Sequence, residues 1–207
     1  MLCLRAIVSS MLRSTWPSVV SASFPLFLFF ALFTSFGASQ STADTPTLRD
    51  IDGHSFQLFG PQAKATVLFF VTNDCPITNN YMPEINRIVA SYVPRKIAFF
   101  AVYTDPSVSE STIRQHAASF GIRIPLIHDS AHLLVRRAGA TVTPEAAVFA
   151  PGGRLDYVGR IDDWYVDFGK RRAAPTQRYL RQALDEILND KPVAIAKVPP
   201  IGCSIVP

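Results

Sequence analysis

A chain of 207 residues that is 48% hydrophobic and 17% charged has room for one domain with a sizeable core, and too few charges to remain disordered. Its formal net charge of +4 drops to about +2 if a leader carrying Arg5 and Arg13 is removed, and the basic run Lys170, Arg171, Arg172 reads as a solvated loop. No nucleic-acid partner is expected from so weak a charge.

The first 39 residues have the layout of a secretory signal peptide. Arg5 and Arg13 stand without acids, an apolar run follows at 25–33, and small residues come next at Gly37, Ala38, Ser39, Ser41 and Ala43. Cleavage after Ser39 or after Ala43 suits the small-x-small rule equally. An uncleaved anchor over residues 19–38 is the other reading, weakened by Pro25 and interspersed serines and threonines. No cysteine directly follows the apolar run, so a lipoprotein signal is absent. Both readings place the folded part outside the cytosol, periplasmic or secreted, and after cleavage no stable membrane insertion is expected.

Residues 40–47 are small and polar, as a linker would be. Stretches 48–51 and 56–59 flank Asp52-Gly53, a hairpin signal. The run 66–72 (TVLFFVT) predicts a strand buried on both faces. Pro76 then stands where a helix tolerates proline best, in its first turn. Tyr81, Ile85, Ile88, Val89 and Tyr92 recur at helical spacing and carry that helix to about residue 92, with Pro83 expected to kink it. A second buried strand is predicted at 97–103 (IAFFAVY), a helix at 107–120 closed by Gly121, a short strand at 124–127 and a helix at 130–138 stopped by Gly139. Strands at 146–150 and 155–160 flank the turn Pro151-Gly152-Gly153. A mixed-charge loop at 161–175 leads to an amphipathic helix at 176–188, and residues 191–207 form an extended, proline-rich tail. This order predicts an α/β domain over 45–190, with a central mixed sheet flanked by helices.

Three cysteines occur: Cys3, Cys75 and Cys203. Cys3 leaves with the leader. Without a Cys-x-x-Cys pair a zinc ribbon is excluded, and the remaining two thiols could form one disulfide in an oxidising compartment. Cys75 joins a buried strand to the start of a helix. There the unpaired backbone N–H groups and the positive end of the helix dipole favour thiolate over thiol. Thr72 or Thr78 could add a hydroxyl hydrogen bond to the sulfur. Such a thiolate attacks disulfides or peroxides, or binds soft metals. The bland alternative is an inert buried cysteine. The corner setting between Asp74 and Pro76, and the export signal, favour reactivity.

The sequence of strand, Cys75-Pro76-x-x, helix and Pro83 resembles the thioredoxin superfamily. The segment Ala140-Thr141-Val142-Thr143-Pro144-Glu145, just before the hairpin, resembles its cis-proline loop. The resemblance implies that Pro144 is cis and packs beside Cys75, and that the Thr143 backbone is free to pair with a substrate's extended chain. More narrowly, segments 73–88, 143–145 and 159–175 are similar to exported redoxins of the alkyl hydroperoxide reductase and thiol-specific antioxidant (AhpC/TSA) group. Thr78 stands where a thioredoxin has its second cysteine, so a local dithiol cycle is missing. Thr72-x-x-Cys75 also aligns with the Thr-x-x-Cys of peroxiredoxins, although Phe69-Phe70-Val71 replaces the proline expected before it. For the arginine those enzymes set beside the thiolate, Arg160 and Arg123 are the candidates. Cys203 is the candidate resolving partner for Cys75; a free cysteine, or one paired with another chain, is the alternative.

The resemblance implies a thiol-dependent oxidoreductase outside the cytosol, acting by disulfide exchange or peroxide reduction. Its partners would be protein thiols and disulfides or small peroxides, with an external electron donor and no cofactor. The reading from another class is a non-catalytic thioredoxin-like module such as a copper carrier, with Cys75 and His128 or His132 as ligands. Those histidines stand four apart, but the strand pattern before His128 argues against a shared helix, and no resident metal site is expected. Glu84 would tune Cys75 or face solvent. Asp162, Asp163 and Asp167 with Tyr165 and Arg171 would form a polar loop network.

Overall fold

The computed structural model describes residues 47–206; the leader expected at 1–39 and its two cleavage sites lie outside the described residues. An antiparallel arm, β1 (Thr47–Arg49) and β2 (Ser55–Gln57), precedes β3 (Ala65–Val71), α1 (Pro76–Tyr92) and β4 (Ile97–Tyr103). There follow α2 (Glu110–Ser119), β5 (Leu126–His128), α3 (Leu133–Ala138), β6 (Val142–Thr143), β7 (Glu145–Phe149) and β8 (Leu155–Gly159). The chain ends through β9 (Tyr165–Asp167), β10 (Lys170–Arg171), α4 (Tyr179–Leu188), β11 (Lys197–Val198) and β12 (Cys203–Ser204).

Six strands form one mixed sheet in the order β11-β8-β7-β3-β4-β5. β3, β4 and β5 run parallel, while β7 is antiparallel to both β3 and β8. This is the mixed, helix-flanked sheet expected from the sequence. Every residue of β3 is buried, because the strand is paired on both sides and covered on both faces, which leaves no place for a polar alternation. Val67, Phe69 and Val71 pack with Tyr81 and Ile85 of α1 and Leu184 of α4. Leu68 and Phe70 face the other way, toward Leu134 and Val135 of α3 and the end of the β1–β2 arm. Among the described residues no helix is long and apolar enough to cross a membrane.

Helix starts are where the sequence expectations shift, and hydrogen bonding explains each shift. The helix predicted from 107 begins at Glu110, since Ser109 caps it by accepting from Thr112 N while Ser107 turns back to Asp105. The helix predicted from 130 begins at Leu133, because the Asp129 carboxylate accepts from the backbone N–H groups of Leu133, Leu134 and Val135. The last helix starts at Tyr179 in place of 176, since Asp163 takes the amides of Thr176 and Gln177. The short strand lies at Leu126–His128, later than predicted. Pro83 sits inside α1 without ending it. The loop expected at 161–175 carries the β9–β10 hairpin, and the tail carries β11 and β12.

Candidate redox site

Cys75 is the N-cap residue of α1, extended at φ −76° and ψ 115°, and it makes no side-chain cap. No acid stands in the first turn, so no carboxylate within the helix neutralises the free N–H groups at this end. The sulfur is bonded to Cys203, 128 residues away, with the Cα atoms 6.1 Å apart. It also lies 3.2 Å from the Thr143 carbonyl oxygen, to which only the reduced thiol could donate. The Thr143–Pro144 peptide is cis. Cys75 is 2% exposed, whereas Cys203 is half-buried and borders a cleft of about 240 Å³ lined by Thr72, Asp74, Thr104 and Asp105.

The cysteine loop is held from behind. Asn79 Nδ2 donates to Asn73 O at 3.2 Å, which leaves Asn79 Oδ1 to accept from His116 Nε2 at 2.8 Å. The other nitrogen, Nδ1, then accepts from the Tyr103 hydroxyl at 2.8 Å. Burial holds the His116 pKa below the usual imidazole range, which favours this neutral, Nε2-protonated ring. Neither His116 nor Asn79 was singled out by the sequence, since nothing local links positions so far apart.

Across from Cys75, β12 runs antiparallel to β6, with Cys203 opposite Thr143 and Ser204 opposite Val142. The strand that precedes Pro144 thus has its edge occupied by the chain's own tail. β6 is braced by the buried carboxylate of Glu145, which accepts from Thr141 N at 2.8 Å and Val142 N at 3.3 Å. Beside Pro144 lies Asp162, buried, accepting from the Tyr81 hydroxyl at 2.6 Å and from Trp164 N at 2.9 Å.

Burial pushes the pKa of Glu145 up, against the pull of the Thr141 and Val142 amides. A raised folded-state pKa gives stability that is present below the unfolded pKa and is lost as pH rises through the folded one. Unfolding free energy should therefore fall from about pH 4 upward on account of this group, and Glu145→Gln should flatten that slope. Parallel pH curves for parent and variant, measured by urea denaturation, would remove this assignment.

Several expected neighbours of the sulfur are elsewhere. The Thr72 and Thr143 hydroxyls meet at 3.2 Å, and Thr78 Oγ1 is buried with no hydrogen-bond partner. Glu84 neither tunes Cys75 nor faces solvent. It is buried against Arg87 at 2.7 Å and Arg181 at 2.8 Å, with Arg178 at 3.7 Å, since α4 brings cations that sequence spacing could not place. Arg160 donates from Nε to Pro199 O at 2.7 Å, and Arg123 is exposed. His128 ends β5 with Nε2 3.0 Å from Asp105 O, and His132 precedes α3 with Nε2 2.6 Å from Thr104 O. Among the described residues no group of three or more His, Cys, Asp or Glu is arranged to hold a metal ion. Of the expected polar network, Asp163 accepts from Thr176 and Gln177 and pairs with Arg172 at 3.2 Å, while Tyr165 accepts from Asn80. Asp167 and Arg171 lie on the exposed β9–β10 hairpin.

A sequence model of the AhpC/TSA family matches residues 40–158. No curated protein sequence matches the chain. Among solved structures, an uncharacterized conserved protein from Geobacillus kaustophilus is similar at 27% identity and a TM-score of 0.65, covering 78% of this chain and 88% of that one. A hypothetical protein from Sinorhizobium meliloti is similar at 25% identity and a TM-score of 0.67, covering 79% and 91%. A thioredoxin-family thiol:disulfide interchange protein from Chlorobium tepidum shares the fold at 17% identity and a TM-score of 0.50, covering 69% and 92%. The fold is thioredoxin-like.

Proposed function

The chain belongs to the AhpC/TSA family, and from that premise we propose that it is a thiol–disulfide oxidoreductase working outside the cytosol, with Cys75 and Cys203 as its reversible redox pair. The observation that carries the reading is the Cys75–Cys203 bond at the start of α1 beside the Thr143–Pro144 loop. As the N-cap residue, Cys75 stands at the positive end of the α1 dipole. A thiolate there is stabilised, and is correspondingly a good leaving group.

The unequal burial of the two sulfurs sets the direction of reduction. A donor thiolate reaches Cys203 Sγ from the cleft and forms a new S–S bond with it; the old bond breaks and its electron pair leaves on Cys75. A second donor thiolate then attacks the mixed disulfide, and the donor departs oxidised while Cys203 becomes a thiolate. In the opposite half-cycle the Cys75 thiolate attacks a partner's disulfide, and Cys203 displaces the partner by re-forming the Cys75–Cys203 bond. The partners are protein thiols and disulfides. Peroxide reduction is the weaker reading, because Arg160 is turned toward Pro199 and Arg123 toward solvent, leaving neither candidate guanidinium assigned to a peroxide.

The test is equilibration in graded glutathione buffers, with the two cysteines followed by alkylation and mass spectrometry. A reversible transition between a Cys75–Cys203 disulfide and two free thiols is expected, together with turnover of a model disulfide. A pair that remains oxidised in a large excess of reduced glutathione would be a structural staple and would overturn the proposal. Peroxide consumption without disulfide turnover would instead favour the peroxidase.

A further inference from the structure

The chain beyond α4 is seated more closely than a disulfide requires. β11 runs parallel to β8, Val158 N donates to Ala196 O at 2.9 Å, and Ile205 N donates to Thr141 O at 3.0 Å. Two glycines, one on each side of the contact, permit the approach. A Cβ on Gly159, in the body, would collide with the Val198 backbone, and a Cβ on Gly202, in the tail, would collide with the Thr143 carbonyl. Ile201 rests against the core cluster that holds Phe69, and Ile205 against the one that holds Phe70. The body and the tail are shaped for each other, and the surfaces they share are the edge of β8, met by β11, and the edge of β6, met by β12.

We infer that residues 197–206 are a redox-released strap, an internal competitor for the strand edge of β6. Bonded through Cys203, the strap fills that edge and covers Cys75. Once an external dithiol has reduced the bond, leaving two protein thiols and an oxidised donor, the strap detaches. The edge then accepts a partner's extended segment in which glycine precedes cysteine, the pattern of Gly202-Cys203. This rests on the redox reading above.

Release follows because what else holds the tail is a set of short local contacts: the Arg160 bond to Pro199 O, single backbone bonds at Ala196 and Ile205, and the packing of Ile201 and Ile205. β11 and β12 pair over two residues each, Pro199 and Pro200 have no N–H to donate, and Val206 is 72% exposed. Against these few bonds stands the conformational entropy of ordering about ten residues. The disulfide tips the balance by tethering Cys203 at Cys75, so that less chain entropy is lost when the rest of the tail docks. The glycine requirement follows from geometry, because any side chain at that place in a partner meets the Thr143 carbonyl.

Hydrogen exchange of the full-length protein tests this, comparing the oxidised form, the form reduced by excess dithiothreitol, and Cys203→Ala. Protection of the Cys203–Ile205 amides should fall about tenfold or more in the last two, with β3 amides unchanged. An octapeptide copying residues 199–206, with serine in place of the cysteine, should bind Cys203→Ala and not the oxidised protein. The same peptide with valine in place of the glycine should fail to bind. Unchanged protection after reduction, or equal binding of both peptides, would overturn the strap. If the disulfide exchanges in a redox buffer while the tail stays protected, the strap falls and the redox reading stands. If the disulfide resists exchange, the redox reading falls, and Cys203→Ala still reports on the strap alone.

Discussion

Replacing Cys75 with serine should abolish disulfide turnover, a loss of about 1,000-fold or more, because a serine hydroxyl at neutral pH is a far weaker nucleophile than a thiolate. Cys203→Ser should behave differently. Its Cys75 still attacks a partner's disulfide, but no internal thiol displaces the product, so a one-to-one mixed disulfide should accumulate. Turnover should drop by about 10- to 100-fold, since an external thiol must now replace one held at high effective concentration. Non-reducing mass spectrometry locates the adduct and a chromogenic disulfide gives the rates. The same variant exposes Cys75 to titration. Its alkylation rate should rise through a pKa below that of a free thiol, about 8.5, given its place at the uncapped start of α1. Turnover that survives Cys75→Ser, or a Cys75 pKa near the free-thiol value, would refute the activated-thiolate assignment.

These expectations rest on residues of unequal legibility. Cys75-Pro76 after TVLFFVT could be read directly, because a buried strand, a helix-starting proline and a thiol between them are local signals. Thr143-Pro144 was legible only through resemblance, since nothing in the residues themselves says which face of the sheet that loop meets. The tail strands were not legible: pairs of two residues have no periodicity, and their partners β6 and β8 lie far upstream. Glu84 was misplaced for a similar reason, since two of the cations around it come from the far end of the chain. Helix starts shift because Asp129, outside α3, takes that helix's first amides, while Asp163 ties Thr176 and Gln177 down ahead of α4. The tail does carry one local signal. Gly202 directly before Cys203 marks a point where backbone can approach backbone, which is the usual reason for glycine in an extended segment.

Phe69→Ala should cost about 3–5 kcal/mol of stability, the range for removing a large aromatic side chain from a packed core. Phe69 is fully buried in β3, opposite Ala101 of β4 and Ala146 of β7, two small residues that cannot reach over to fill the space. Its ring stacks on Phe99 with centroids 5.9 Å apart, so an aromatic contact is lost along with the volume. Phe70→Ala should cost a similar amount by emptying the opposite face, where the ring packs in the cluster of α3. Leu155→Ala, at a position 39% exposed, should change stability by no more than about 0.5 kcal/mol. Urea denaturation of the oxidised proteins reads all three. The pair of phenylalanines is the sharper comparison, because both follow from a strand with no polar face. A small cost at either position, below about 1 kcal/mol, would mean that one side of β3 is not packed as a core.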